Sequence, residues 1–174
     1  MPDRPGLYTI RLVVRTTTGL QKETRITVDL ATAVFSSSGK NVYSSDGQAE
    51  LSIPRYALDD DVELFSINPV DIADVSQEGL TLIGKVYEFK PESMKFLKPA
   101  PISIHYTELA GADENRLSIY AYEPLSQRWI YQPSTIDTAG NWVTTSVSSF
   151  NPYRNYFAIF LQGIRDKIPV IYQP

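Results

Sequence analysis

The chain has 174 residues, 43% hydrophobic and 21% charged, with a net charge of −4 and no cysteine. That length holds one full domain, or one domain with a piece of another, and the composition excludes a wholly disordered chain. Disulfides, thiolate zinc sites and thiol catalysis are excluded, and the scattered basic residues of an acidic chain argue against recognition of a nucleic-acid backbone.

The opening "MPDRPG" has no apolar signal core, so an exported protein would show here as a mature chain or an excised fragment. In "YTIRLVV" Tyr8, Ile10, Leu12 and Val14 share one face, with Thr9, Arg11 and Arg15 on the other. After "TTTG" the run "ETRITVDL" alternates again, with Thr24, Ile26, Val28 and Leu30 opposite Glu23, Arg25 and Asp29. This period of two predicts an antiparallel hairpin over residues 1–30. A lone hairpin is marginal in water, so residues 7–30 are expected to pack on the main sheet or on a second copy, as a homodimer.

Further strands are predicted at "QAELSI", "VELFSI", "TLIGKVYEF", "PISIHY", "RLSIYAY", "RWIYQ", "NWVTTSV" and "YFAIFL". Turn clusters such as "SSDG", "PLSQ" and "DTAGN" separate them. "PRYALDD" and "PESMKFL" are expected to form single helical turns, and Pro54, Pro101 and Pro169 to stand at strand entrances, where a missing donor costs little. The run Tyr156–Leu161 is far short of the roughly 18 apolar residues that span a bilayer, so no membrane insertion is expected. Many short strands with frequent turns predict an all-β, antiparallel β-sandwich over residues 31–162. Residues 163–174 are expected to be an extension or one more strand, "IPVIY".

Three stretches carry a resemblance: "DGQAELSIPRYAL" (46–58), "VYEFKPESMKFLKPAPISIHY" (86–106) and residues 120–160, from "YAYEPLSQRW" to "NYFAIF". In this order they resemble the β-sandwich domain shared by zonula occludens proteins, netrin receptors and ankyrins, in the divergent form found in bacterial multidomain surface proteins. The segment "PGLYTIRLVVRTTTGLQKETRITVDL" is similar to the closing hairpin of bacterial immunoglobulin-like modules. The resemblance implies an interaction or spacer module at the cell surface or outside the cell. It implies neighbouring domains or another protein as partners, with no catalysis and no cofactor.

Some relatives of that domain cleave their own backbone at His-Phe-Ser, the serine hydroxyl attacking the preceding carbonyl. Here the corresponding residues are Ser149, Phe150 and Asn151, so the nucleophile is missing and Phe150 is expected to be a core plug. The single histidine, His105, alternates with Ile102, Ile104 and Tyr106 and is expected on the polar face with Ser103 and Thr107. There is no Gly-x-Ser-x-Gly elbow, and no spacing selects a carboxylate pair for glycoside hydrolysis.

Asp59, Asp60 and Asp61, with Glu63, offer hard oxygens for calcium but lack the Asp-x-Asp-x-Asp-Gly loop, and three acids before a strand are more often a solvated turn. On "LSIYAYE" the set Leu117, Ile119 and Ala121 alternates with Tyr120 and Tyr122, and across the turn Trp129 and Tyr131 alternate with Ile130. If the aliphatic set fills the core, Tyr120, Tyr122, Trp129 and Tyr131 form an outward strip. It could stack on sugar rings, as a carbohydrate-binding module on polysaccharide, or bury against a neighbouring domain, or only brace the sheet. Tyr153 and Arg154, at the tip of "FNPYRNYF", are a second candidate contact.

Overall fold

The computed structural model describes residues 6–72, 77–107, 109, 111, 113–151 and 155–163. The expected "IPVIY" strand lies outside the described residues. The fold is all-β, with antiparallel sheets packed as a sandwich. Among the described residues no helix is long and apolar enough to cross a membrane.

The hairpin forms as its alternation demands. Strand β1 (Gly6–Arg15) pairs with β2 (Gln21–Leu30) in unbroken register from Gly6 opposite Leu30 to Arg15 opposite Gln21. The sandwich then begins after a single residue, with β3 (Thr32–Phe35), β4 (Lys40–Tyr43), β5 (Ala49–Ile53), β6 (Val62–Val70), β7 (Leu80–Lys90) and β8 (Lys95–His105). A short 3-10 turn (Glu114–Arg116) leads into β9 (Leu117–Glu123), β10 (Arg128–Tyr131), β11 (Ser134–Asp137), β12 (Trp142–Ser149) and β13 (Tyr156–Gln162).

One sheet has six strands in the order β10-β9-β13-β7-β6-β3, and the other has five in the order β11-β12-β8-β5-β4. Two short strands early in the sandwich, β3 and β4, and the late β11 were not predicted: each has four residues and too few alternations to register a period, and none has the aromatic pair that marks the equally short β10. The expected helical turns are absent. "PRYALDD" is a tight turn at Arg55 and Tyr56, with Tyr56 at φ 60°, followed by a bend at Asp59 and Asp60, and "PESMKFL" is a turn that runs into the start of β8. Pro101 stands inside β8 opposite Ser146, not at a strand entrance. It is tolerated because β5 pairs with β8 only as far as Leu51 opposite Ile102, so a residue without a donor breaks no ladder on that side.

Two glycines set local geometry. Gly84, at φ +75°, lies in the bulge where β7 takes an extra step between its pairs Val86 to Ala158 and Ile83 to Ile159. Gly39, at φ +64°, lets the β3–β4 turn press on the end of β5, where a Cβ would meet the Ile53 carbonyl oxygen at 2.5 Å.

Between the sheets lies an aliphatic core of Val34, Leu51, Ile67, Ile102, Ile104, Leu117, Ile119, Val143 and Ile159, with a chain of phenylalanines at one end. Phe89 from the six-stranded sheet meets Phe157 edge-on at 5.2 Å, and Phe150 meets Phe96 of the five-stranded sheet edge-on at 5.2 Å. Phe150 also lies 6.0 Å from Phe89 and 6.2 Å from Phe157, so it bridges the two sheets. Phe65 stacks on Phe96 from the far side at 6.3 Å.

The hairpin does not lie face-on against the main sheet. Ile10, Leu12, Val14 and Ile26 of its apolar face stay exposed, and only its root docks. There Asp29 Oδ2 accepts from Ser66 Oγ at 3.1 Å, Asn68 Nδ2 at 3.3 Å and Lys90 Nζ at 3.5 Å, all on the outer face of the six-stranded sheet.

Truncating a buried phenylalanine removes its contacts and leaves a cavity, so Phe96→Ala and Phe157→Ala should each lower stability by about 3–5 kcal/mol in urea unfolding. Unchanged unfolding midpoints in both variants would contradict this core.

Candidate functional site

The face of β9 and β10 away from the aliphatic core does carry the four aromatic residues. Trp129 stands opposite Tyr122, and Tyr131 opposite Tyr120. They do not form the open strip that alternation suggested. Tyr120 and Trp129 are 6% and 4% exposed, Tyr122 is half-buried, and only Tyr131, at 50%, offers its ring to solvent.

The reason lies in β13. Its run "YFAIF" is buried on both faces, with Tyr156, Ala158 and Phe160 building a second apolar cluster on the outer side, joined by Val86. Val70, Ile72, Leu80 and Leu82 close over this cluster. Trp129 sits 4.9 Å from Phe160 and Tyr120 5.4 Å from it, while Tyr122 contacts Tyr156 at 6.1 Å. The Gln77 carboxamide then completes the edge of β10 as a strand would, accepting from Trp129 N–H at 2.8 Å and donating to the Trp129 carbonyl at 3.2 Å.

A cleft of about 660 Å³ remains beside this cluster, lined by Tyr131, Ile130, Gln77, Glu78 and Gln162 among others. Tyr131 meets Tyr120 at 77° between ring planes, so the two do not make one flat platform. Stacking on a sugar needs an open ring face, and the tryptophan that would best supply it is covered. Tyr153 and Arg154 lie outside the described residues.

Asp59, Asp60 and Asp61 are exposed on a bend before β6, where the Asp61 carbonyl accepts from Ser36 N–H at 2.9 Å. Among the described residues no three His, Cys, Asp or Glu side chains converge as a metal site.

At Ser149, Phe150 and Asn151 the backbone is held in ordinary pairing. Phe150 N–H donates to the Met94 carbonyl at 2.7 Å and Ser93 N–H to the Asn151 carbonyl at 3.3 Å. His105 is far away. Ser149 faces Lys95 at one end of β8 and His105 faces Trp142 at the other, ten residues and roughly 33 Å along the strand. There His105 packs against the Trp142 ring at 5.1 Å, on the outer face as expected, while Ser103 shares a hydrogen bond with Thr144 at 2.8 Å.

Sequence reasoning missed two polar clusters. Asp46, in the turn "SSDGQ", gathers four donors: Ser44 Oγ at 2.7 Å, Gln48 N–H at 3.1 Å, Lys85 Nζ at 3.0 Å and Tyr87 OH at 3.2 Å. Burial opposes ionisation of Asp46, but the donors from Ser44, Gln48 and Lys85 outweigh it and hold the carboxyl below its usual range. Burial, and then the Asp46 charge, push the Tyr87 phenol well above its usual range. The Asp-Gly pair signalled a turn, but not the distant Lys85 and Tyr87. Tyr106 is similarly kept neutral, its pKa pushed up to about 12 by burial and by its bond to Glu114. The second cluster is the Asp29 root, where Asp29 Oδ1 and Asn68 Oδ1 are buried without a donor. No local pattern announces it, because its members come from β2, β6 and β7.

No protein-family model matches this chain, and no curated protein matches it.

Two outcomes follow from these geometries. With no hydroxyl nucleophile after Phe150, the purified chain should keep a single intact mass of 19.6 kDa after a day at 37 °C. Two fragments that meet beside Phe150 would overturn that reading. Asp46 has a folded pKa below its unfolded value, so its contribution is present above about pH 4 and is lost as pH falls through the folded value. The stability gap between the native chain and Asp46→Asn should therefore be largest at neutral pH and shrink in acid. A gap that stays constant with pH would remove the ionised carboxylate from the account.

Proposed function

We propose that this chain is a non-catalytic structural and protein-interaction module of a larger, exported bacterial protein, and that it engages neighbouring domains or another protein through the hairpin. The observation that carries the reading is the uncovered apolar face of β1 and β2, with Ile10, Leu12, Val14 and Ile26 exposed. Contiguous exposed apolar surface of this kind marks an interaction site. On the sandwich Tyr120 and Trp129 are drawn inward, while Phe35, Tyr56 and Tyr131 stay exposed. The resemblance of residues 46–58, 86–106 and 120–160 to modules of bacterial surface proteins supports the same reading.

A carbohydrate-binding role on Tyr131 and the cleft beside it is the second reading. It is favoured by one half-exposed ring among polar side chains, and weakened by the burial of Trp129 and Tyr120.

Panning a displayed random-peptide library against the full chain should enrich extended sequences that alternate apolar and polar residues. Binding should be lost in the Ile10→Lys, Ile26→Lys double variant. Binders that survive this variant would move the site elsewhere, and a tryptophan fluorescence change on a polysaccharide panel would favour the sugar reading.

A further inference from the structure

The two faces of the hairpin differ in how completely they are satisfied. On the polar face Glu23 lies 2.7 Å from Arg11 and 2.9 Å from Arg25, and these guanidinium groups hold its carboxyl below the usual range. Arg15 bonds the Gln21 side chain at 3.2 Å. The root contact, Asp29 with Ser66, Asn68 and Lys90, belongs to this face too. The sandwich thus grips the hairpin by its polar side.

The other face holds Tyr8, Ile10, Leu12 and Val14 in register with Val28, Ile26, Thr24 and Lys22. Its four most open aliphatic residues, Ile10, Leu12, Val14 and Ile26, are each 55–57% exposed. Lys22 is the one charged residue there. What covers this face must be apolar and extended, and needs no charge of its own.

Resting on the reading that this face binds protein, we infer that its occupant is the same face of a second copy of this chain. The two hairpins stack face to face about a twofold axis, the tip of each over the root of the other. Lys22 decides the direction. With both tips at one end the two ammonium groups would meet in an apolar layer, whereas the antiparallel stack sets them at opposite ends. In that arrangement Ile26 of one copy lies over Ile26 of the other, because the axis crosses the hairpin at its middle row.

Area sets the strength. Ten residues per strand at ~3.3 Å each, in two strands ~4.8 Å apart, give a footprint of roughly 33 by 10 Å. As flat patches two such faces cover roughly 660 Å², and even with side-chain relief the stack stays under the ~1,200 Å² at which standard stable interfaces begin. The dimer is therefore reversible and depends on concentration.

Sedimentation of the full chain from about 1 to about 200 µM should show the mass climbing from 19.6 kDa toward twice that value. Leu12→Lys should hold it at the monomer mass with an unchanged melting temperature. The chain has no cysteine, so single thiols report position cleanly. A short bismaleimide should join Ile26→Cys chains in pairs and leave Arg25→Cys, on the polar face, unjoined. A dimer that persists in Leu12→Lys, or joins equally through Arg25→Cys, would overturn the stack. Hydrogen exchange on β1 and β2 separates the remaining failures. A monomer with unprotected hairpin amides overturns the second copy as occupant but leaves a protein-binding face in search of another partner. A monomer with protected hairpin amides overturns both readings, since the hairpin then needs no cover.

Discussion

The contact on which the sandwich depends is the seat of Phe150 among Phe89, Phe96 and Phe157. A sandwich is two sheets that each present one apolar face, and nothing in the backbone ladders joins one to the other. Phe150 follows β12 of the five-stranded sheet, yet two of its three ring neighbours come from β7 and β13 of the six-stranded sheet. Its N–H is tied to the Met94 carbonyl, which fixes the backbone from which the ring projects. Phe150 is here a clasp between the two sheets. The groups that would make it reactive are absent or, for His105, at the far end of β8.

The same sheet shows how differently two outer surfaces can be resolved. Around β13 and β9 the outer face is apolar, and Val70, Ile72, Leu80 and Leu82 cover it. Around β6 and β7 it is polar, and the root of the hairpin covers it through Asp29. Both solutions consume surface that would otherwise bind something. Tyr120 and Trp129 brace the sheet, and Ser66 and Asn68, at 2% and 0% exposure, hold the hairpin. The Asp29 root leaves two buried acceptors without a donor among the described residues, while the three donors on Asp29 Oδ2 fix where the hairpin leaves the body.

Most of the architecture was legible because long strands declare their period. The hairpin's two ten-residue strands, the long β7 and the second half of β8 follow from alternation, while the start of β8 reads as a helical turn. Of the four-residue strands only β10 registered, and Pro101 misled because the end of β5's pairing is a tertiary fact. The aromatic strip was assigned to the correct face and still misjudged. Alternation reports which side of a sheet a residue faces, but not whether a loop lies over that side. A signal was present in "YFAIF": an unbroken apolar run marks a strand buried on both faces, so its neighbours' outward residues are covered too. The Asp46 and Asp29 clusters were illegible for another reason, since each joins residues about 40 to 60 positions apart.

The hairpin stands apart from this economy. Elsewhere several groups have found an internal partner: aromatic rings for the outer face of β9, a carboxamide for the edge of β10, four donors for Asp46, although Phe35, Leu64, Leu97 and Leu125 stay exposed. In β1 and β2 Arg11 and Arg25 are paired with Glu23, while Ile10, Leu12, Val14 and Ile26 stay exposed. A random surface would show the reverse, with charges left to water and apolar side chains folded inward. Neither backbone strain nor local propensity requires Ile10, Leu12, Val14 and Ile26 to be as large as they are, because threonine would serve an isolated strand as well. Size and apolarity at alternate positions are useful only against a second surface of the same kind. On the proposed reading the hairpin carries the interaction, and the sandwich holds it at a fixed place through Asp29.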